Sequence, residues 1–356
     1  MIASAHIVAG QALGGAELFY VRLVNALQER RQPVLAINSP SGGVSSKLHA
    51  EVAQIHVPMR AIWDWPSRWR IGAILREHQP DIVQTYMGRA TRLTHLDPGR
   101  WPIHVARLGG YYDLKGYRHA HAWVGNTQGI CDYLIRSGLP ATRIAQIGNF
   151  VDLPAASSPE QLADWRRRLA IPEEALVLTT VGRFHPVKGF EDLLTALAVL
   201  GTTVCHRPLI LVIVGDGPLN ASLRNHAEQL GISSRLRWVG WQLDPHPYYE
   251  LADLFICPSR HETLGNVILE AWGHGRAVLA TQTAGASELI THGENAWLVP
   301  LQQPRALADG IRLLLADEPL RAQLASQGRR KVENHYSQPH IVSAYLDFYQ
   351  RLLTAA

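Results

Sequence analysis

Two carboxylates and two cations stand out by their spacing. Glu262 and Glu270 are separated by seven residues in the run Glu262-Thr263-Leu264-Gly265-Asn266-Val267-Ile268-Leu269-Glu270, which follows the apolar stretch at 254–257. A strand over that stretch and a helix opening near Leu264 put Glu262 on the intervening loop and Glu270 on the helix. The free N–H groups of the first helical turn then face anionic oxygens. Such a segment can hold a phosphate, a sugar and a ribose together. Arg183 and Lys188, in Val181-Gly182-Arg183-Phe184-His185-Pro186-Val187-Lys188-Gly189-Phe190, also follow an apolar run and precede a helical stretch. Taken singly, each reads as a capping carboxylate, a surface helix residue or a solvated loop charge. Their shared placement after buried runs is what points to a site. Near the start, Gly10-Gln11-Ala12-Leu13-Gly14-Gly15-Ala16-Glu17 joins an apolar run to a helical stretch, and the pair Gly14-Gly15 permits close approach of backbone to a ligand. Tight turns also need glycine for conformational reasons alone.

These residues require strands to end where they begin. Apolar runs at 5–8, 34–37, 82–85, 105–108, 123–125 and 144–147 alternate with helical periodicity at 16–30 and 128–137. That order is strand–helix–strand logic and assembles as a parallel sheet. Residues 150–159 break into turn-rich sequence, so residues 151–160 read as a linker between a first domain at 1–150 and a second at 161–336. The second half restarts the alternation, with strands at 177–181, 209–214, 236–239, 254–257 and 277–280 and helices at 190–200, 218–230, 264–272 and 305–316. The fold class is α/β, two Rossmann-like parallel-sheet domains facing across a cleft, with ligands expected at the carboxyl ends of the strands.

Length and composition agree. A chain of 356 residues exceeds what one core usually serves, which favours two domains. Apolar residues at 47% and charged residues at 18% describe a globular chain that buries a substantial core. The net charge of +4 is compatible with an anionic ligand, an anionic membrane surface or nucleic acid. Arg166-Arg167-Arg168 reads as a solvated helix face, since no stacking platform or nucleic-acid module accompanies it, and no nucleic-acid partner is expected. Cys131, Cys205 and Cys257 show no metal-binding or disulfide spacing and fit a reducing compartment. No apolar run reaches the ~18 residues of a membrane span and no leader pattern opens the chain, so a cytoplasmic location is expected. Arg60-Ala61-Ile62-Trp63-Asp64-Trp65-Pro66-Ser67-Arg68-Trp69-Arg70 interleaves tryptophan with arginine, a composition suited to a peripheral membrane contact at the inner face or to a glycolipid acceptor. His119 and His121 lack a third ligand nearby and do not argue for a metal.

The segment from Glu262 to Glu270 resembles the hallmark of the retaining glycosyltransferases of the GT-B fold, the family 4-like (group 1) enzymes that include sucrose synthase-like and lipopolysaccharide-core transferases. The resemblance spans nearly the whole chain. It includes the loop carrying Arg183 and Lys188 and, in order, Val214-Gly215-Asp216-Gly217-Pro218, Val239-Gly240-Trp241, Pro258-Ser259-Arg260 and Gly285-Ala286-Ser287-Glu288-Leu289-Ile290.

The resemblance implies a metal-independent, retaining transfer of a sugar from a nucleotide-sugar donor (UDP-, GDP- or ADP-linked) to a saccharide or glycolipid acceptor, in lipopolysaccharide or other cell-envelope synthesis. Arg183 and Lys188 would stabilise charge on the departing diphosphate, a contact commonly worth ~3 kcal/mol of barrier. Glu262 with the Thr263, Leu264, Gly265 and Asn266 backbone would hold the transferred sugar, and Glu270 the ribose. Gly14 and Gly15 would lie beside the donor phosphate. Asp113, in Leu108-Gly109-Gly110-Tyr111-Tyr112-Asp113, falls where relatives carry an acceptor-side His or Asp. It would accept or orient the acceptor hydroxyl proton, or else cap its own loop. No cofactor is implied, and the absence of an Asp-x-Asp pair leaves the cation's task to Arg and Lys. By the same resemblance the helix at 337–356 packs back on the first domain. Two other readings share these residues: a non-catalytic nucleotide-sugar-binding partner, and an epimerase or phosphorylase on the same architecture. A nicotinamide dehydrogenase is set aside, because no Gly-x-Gly-x-x-Gly follows the first strand.

Overall fold

The computed structural model describes residues 1–10, 13–40, 43–97 and 102–355. They form two units, Met1–Phe150 with Gln338–Ala356, and Val151–Ser337.

In the first unit the chain alternates β1 (Ser4–Val8), α1 (Gly15–Glu29), β2 (Val34–Asn38), β3 (Ala53–His56), α2 (Trp65–His78), β4 (Ile82–Tyr86), α3 (Met87–Leu93), β5 (Ile103–Leu108), β6 (Ala122–Gly125), α4 (Gln128–Arg136) and β7 (Ile144–Gln146). The seven strands pair in the order β3-β2-β1-β4-β5-β6-β7, all parallel. Successive side chains on a strand face opposite ways. Val8, Ala36, Tyr86 and Val105 therefore pack with α1, while Ile7, Leu35, Ile37 and Val83 pack with α2 and α3. Both faces are covered, which is why the strands read as unbroken apolar runs. The edge strand β3 was not legible in this way, because its four residues are exposed or half-buried. Helix α2 shows little helical periodicity in its sequence, because its buried stripe is confined to Ser67, Ile71, Ile74 and Leu75.

The second unit runs α5 (Pro159–Arg168), β8 (Leu176–Val181), α6 (Phe190–Leu200), β9 (Thr203–Val204), β10 (Arg207–Val214), α7 (Asn220–Gln229), β11 (Leu236–Gly240), α8 (His246–Glu250), β12 (Leu254–Cys257), α9 (Asn266–Gly273), β13 (Val278–Thr281), α10 (Ala284–Leu289), β14 (Trp297–Val299), α11 (Pro304–Ala316) and α12 (Glu318–Lys331). Its main sheet has the order β11-β10-β8-β12-β13-β14, all parallel, and β9 adds one antiparallel pairing to β10. Leu178, Leu211, Ile256 and Leu279 pack against α6 and α11, and Phe255, Val278 and Ala280 against α9. Two boundaries differ from the sequence reading. Helix α5 starts inside the expected linker, because Ser158 and Gln161 form a reciprocal cap. Helix α9 starts at Asn266 rather than near Leu264, because Gly265 holds a left-handed conformation (φ 88°) and Leu264 is pulled into the apolar core.

The last helix, α13 (Gln338–Thr354), belongs to the first unit and lies against α1. It buries Ile341, Val342, Tyr345, Phe348, Tyr349 and Leu352. The Tyr349 hydroxyl donates to Gln84 Oε1 (2.6 Å), and Arg107 donates to both Tyr345 and Asn149.

Candidate functional site

The carboxyl ends of the second sheet bring most of the predicted donor-side residues together. After β8 the chain passes Gly182 and Arg183, and Phe184 N–H donates to the Asp216 carbonyl (2.9 Å) in the loop after β10. A side chain at Gly215, whose φ is 138°, would begin 1.9 Å from the Gly182 carbonyl oxygen, so the two loops touch backbone to backbone. The short turn Pro186–Lys188 ends on Gly189, at φ 65°, where a Cβ would lie 2.0 Å from the Pro258 carbonyl. The Val187 carbonyl accepts from the N–H groups of Arg260 (2.8 Å) and His261 (3.1 Å). Arg260 in turn makes a bidentate pair with Asp192 on α6, both bonds 2.8 Å, and reaches Glu191 at 3.1 Å. On the other side Gly285 N–H donates to the Glu262 carbonyl (3.0 Å), and a Cβ on Gly285 would strike Thr263 at 2.6 Å. Thr281 bonds back to the Cys257 and Ser259 carbonyls.

The loops after β8, β12 and β13 are thus locked to one another, and their product is an ion pair. Lys188 Nζ donates to Glu262 Oε1, the same oxygen that accepts from Ser259 Oγ at 3.1 Å. The Glu262 side chain is 13% exposed and that of Lys188 26%, so both can reach a ligand while being shielded from bulk water. Arg183 is exposed at the end of β8. Leu264 contributes its side chain to the core, which leaves its backbone as the part available to a ligand. Glu270, one turn into α9, accepts from Tyr249 on α8 at 2.5 Å. Tyr249 stacks on His274, whose Nδ1 lies 2.7 Å from the Glu270 carbonyl and whose Nε2 lies 2.9 Å from His246. Burial pushes the His274 imidazole down to about 4, so it is neutral at ordinary pH. The nearby Cys257 thiol is pushed up to about 11 by burial and by the Glu262 carboxylate, which removes it as a nucleophile.

Residues 162–331 match the family model described as glycosyl transferases group 1, and residues 13–154 match that of glycosyltransferase family 4. The lipopolysaccharide core biosynthesis glycosyltransferase LpsE of Rhizobium meliloti is 33% identical over 94% of this chain and 95% of its own length. The chain belongs to this family. It is a glycosyltransferase. A glycosyltransferase from Rickettsia africae superposes with a TM-score of 0.86 at 19% identity, covering 100% of this chain and 99% of its own. Anabaena Alr3699/HepE, in complex with UDP and glucose, does so at 0.82 with 20% identity, covering 98% and 99%. These likenesses identify the two parallel-sheet units as the GT-B fold.

In the transferase's first unit the predicted residues do different jobs. Gly14 caps α1, and its N–H donates to Glu17 Oε2 at 3.2 Å. Glu17 is buried and fills the loop: a Cβ on Gly10 would meet its Oε1 at 1.9 Å. Part of this loop, Gln11 and Ala12, lies outside the described residues. Asp113 is exposed and caps a short turn by accepting from Lys115 N–H (3.0 Å). It lines a cavity of about 540 Å³ with Arg92, His95, Lys115, Arg118 and His119. His119 stacks on His95 with ring centroids 4.0 Å apart and bonds to the Thr91 and Thr94 carbonyls. Among the described residues no three His, Cys, Asp or Glu side chains gather to hold a metal ion.

Ser259 and Tyr249 were missing from the residues read as functional. Ser259 stands in a motif already quoted, and its position three residues before Glu262 was the available signal. Tyr249 gave none, because only the fold brings α8 against α9.

Proposed function

We propose that this glycosyltransferase moves a sugar from a nucleoside-diphosphate sugar to a saccharide or glycolipid acceptor, with retention of configuration and without a metal ion, in assembly of a lipopolysaccharide core or related envelope glycan. The observation that carries the donor side is the Lys188–Glu262 pair, held by interlocked loops at the strand ends, with the exposed Arg183 earlier on the loop that carries Lys188. A donor diphosphate arriving there takes over the Lys188 ammonium and meets Arg183. Both cations then stabilise the charge that grows on the leaving phosphate, which lowers the barrier more than it tightens substrate binding. Glu262, released from that pairing but still held by Ser259, accepts from hydroxyls of the transferred sugar, and the backbone of 263–266 supplies N–H donors. Glu270 accepts from the ribose. Asp113 orients the acceptor hydroxyl. Support for the acceptor class comes from the LpsE relative, and support for a uridine donor from the Anabaena structure. A membrane-borne acceptor would place the enzyme on the cytoplasmic face as a peripheral protein.

The test is binding and slow hydrolysis of UDP-, GDP- and ADP-sugars in the presence of EDTA, with wild type compared with Lys188→Ala and Glu262→Ala. One donor is expected to bind and turn over, with each substitution lowering kcat by about 10²–10³. The anomeric configuration of the product, read by NMR, checks retention. Turnover that requires a divalent ion, or survives both substitutions, contradicts the assignment.

A further inference from the structure

We propose that the start of α2 is a docking surface for an anionic lipid bilayer. Trp63, Trp65 and Trp69 are 72%, 69% and 70% exposed, and Ile62 beside them is 41% exposed. Trp65 and Trp69 stand one turn apart on α2, opposite the stripe of Ser67, Ile71, Ile74 and Leu75 that faces the core. The tryptophans therefore lie mostly outside the packing of the first unit. Water-soluble surfaces rarely keep such a cluster of large apolar rings without a use, and indole, with an apolar body and a polar N–H, is the side chain that settles at a membrane's headgroup level.

Charge selects the kind of bilayer. Between residues 60 and 76 four arginines stand against one acid, Asp64. That carboxylate is already engaged: it accepts from Arg60 N–H (2.9 Å) and from the N–H and hydroxyl of Ser67 (3.1 and 2.8 Å), as the cap of α2. Arg60 and Arg70 are exposed, and Arg68 lies over the Trp65 ring at 5.2 Å. The positive surface continues onto α3. Arg92, in the last turn of that helix, lines a cavity with Lys115 and Arg118 as well as Asp113. Insertion of the indoles with arginines drawn to lipid phosphates satisfies both features at once, which neither a neutral sugar nor an apolar protein face would do.

The experiment is co-sedimentation of the full chain with vesicles of phosphatidylglycerol and phosphatidylethanolamine, and with vesicles of phosphatidylcholine alone. Wild type is expected on the anionic vesicles only. Each of Arg68→Ala and Arg70→Ala should lower the partition by about fivefold, and the combined Trp63→Ala, Trp65→Ala, Trp69→Ala variant should abolish it. The exposed positions leave the circular dichroism spectrum unchanged, and transfer to a water-soluble acceptor should continue in that variant. Equal sedimentation of wild type and variant overturns the proposal. So does loss of transfer to the soluble acceptor with vesicle binding intact, which would make the rings a sugar platform. A wild-type dimer that the triple variant dissociates, with no vesicle binding, would make them a contact between copies.

Discussion

Tyr249 shows what a single residue contributes here beyond its own contact. Its hydroxyl holds Glu270 at 2.5 Å, its ring stacks on His274, and His274 is tied to the carbonyl of that same Glu270. Side chain and backbone of Glu270 are thus fixed from one direction. If Glu270 meets the ribose, Tyr249→Phe frees its carboxylate to turn. A hydrogen bond to a charged group is worth roughly 1.5–3 kcal/mol, so steady-state kinetics should show the donor KM raised by about tenfold or more with kcat nearly unchanged. A fall in kcat at constant KM would assign Tyr249 to the chemical step instead. The charges were legible at this scale, since Arg183, Lys188, Glu262 and Glu270 follow buried runs at fixed offsets. Their partners were less so. Tyr249 is drawn in from α8, which nothing in the spacing of the four signals, whereas Ser259 left a local trace three residues before Glu262.

Among the elements, the glycines at loop crossings decide whether the charged residues meet. Gly189 combines a left-handed backbone with a Cβ position 2.0 Å from the Pro258 carbonyl, whereas Gly231, equally left-handed at φ 67°, faces open space. Gly231→Ala should cost only the conformational term of about 1–2 kcal/mol. Gly189→Ala adds a clash of backbone with side chain that only a shift of the Lys188 turn away from the Glu262 loop can relieve. Urea titration and donor binding separate the two: both variants lose stability, and only Gly189→Ala loses the donor. A Gly231→Ala variant that lost the donor equally would refute the loop-crossing account. Helix α13 sets a second dependence. Its six buried apolar and aromatic side chains each contribute roughly 1.5–3 kcal/mol, together comparable to the whole stability of a domain. Truncation after Ser337 should therefore leave the first unit unfolded, seen as lost amide protection in residues of β1 and α1. Retained protection there would show that α13 merely rests on a finished core. Most strands of the two main sheets and most of the long helices were readable because both faces of each sheet are covered, though β14 and α12 were not read. The edge strand β3 and the helix α2 were not, because half their surface faces water and their periodicity is diluted.

Over the whole molecule, buried histidines set a pH dependence. Burial lowers His6 to about 3 and His274 to about 4, and pushes His104 well down as well. Each is neutral in the fold, while the unfolded chain protonates near pH 6.5. The unfolded state thus takes up protons that the native state refuses. Stability is full above pH 6.5 and falls as pH drops from there toward 4, with a slope of up to about 1.4 kcal/mol per pH unit for each such histidine. Urea midpoints at pH 7.5 and 5 should show the decline, and His274→Gln should reduce its slope. A midpoint that rises at pH 5 would contradict the burial argument. By itself the sequence determined that there are two parallel α/β units, where most strands end, and which charges stand at those ends, because hydrophobic period and glycine or charge placement are local properties of the chain. Only the tertiary structure decided that Lys188 pairs with Glu262, that Tyr249 steadies Glu270, that Glu17 fills the first glycine loop, and that the tryptophans of α2 remain outside. Each of these depends on which elements the sheet order and the covering helices place side by side, and that is settled by burial of the whole set together.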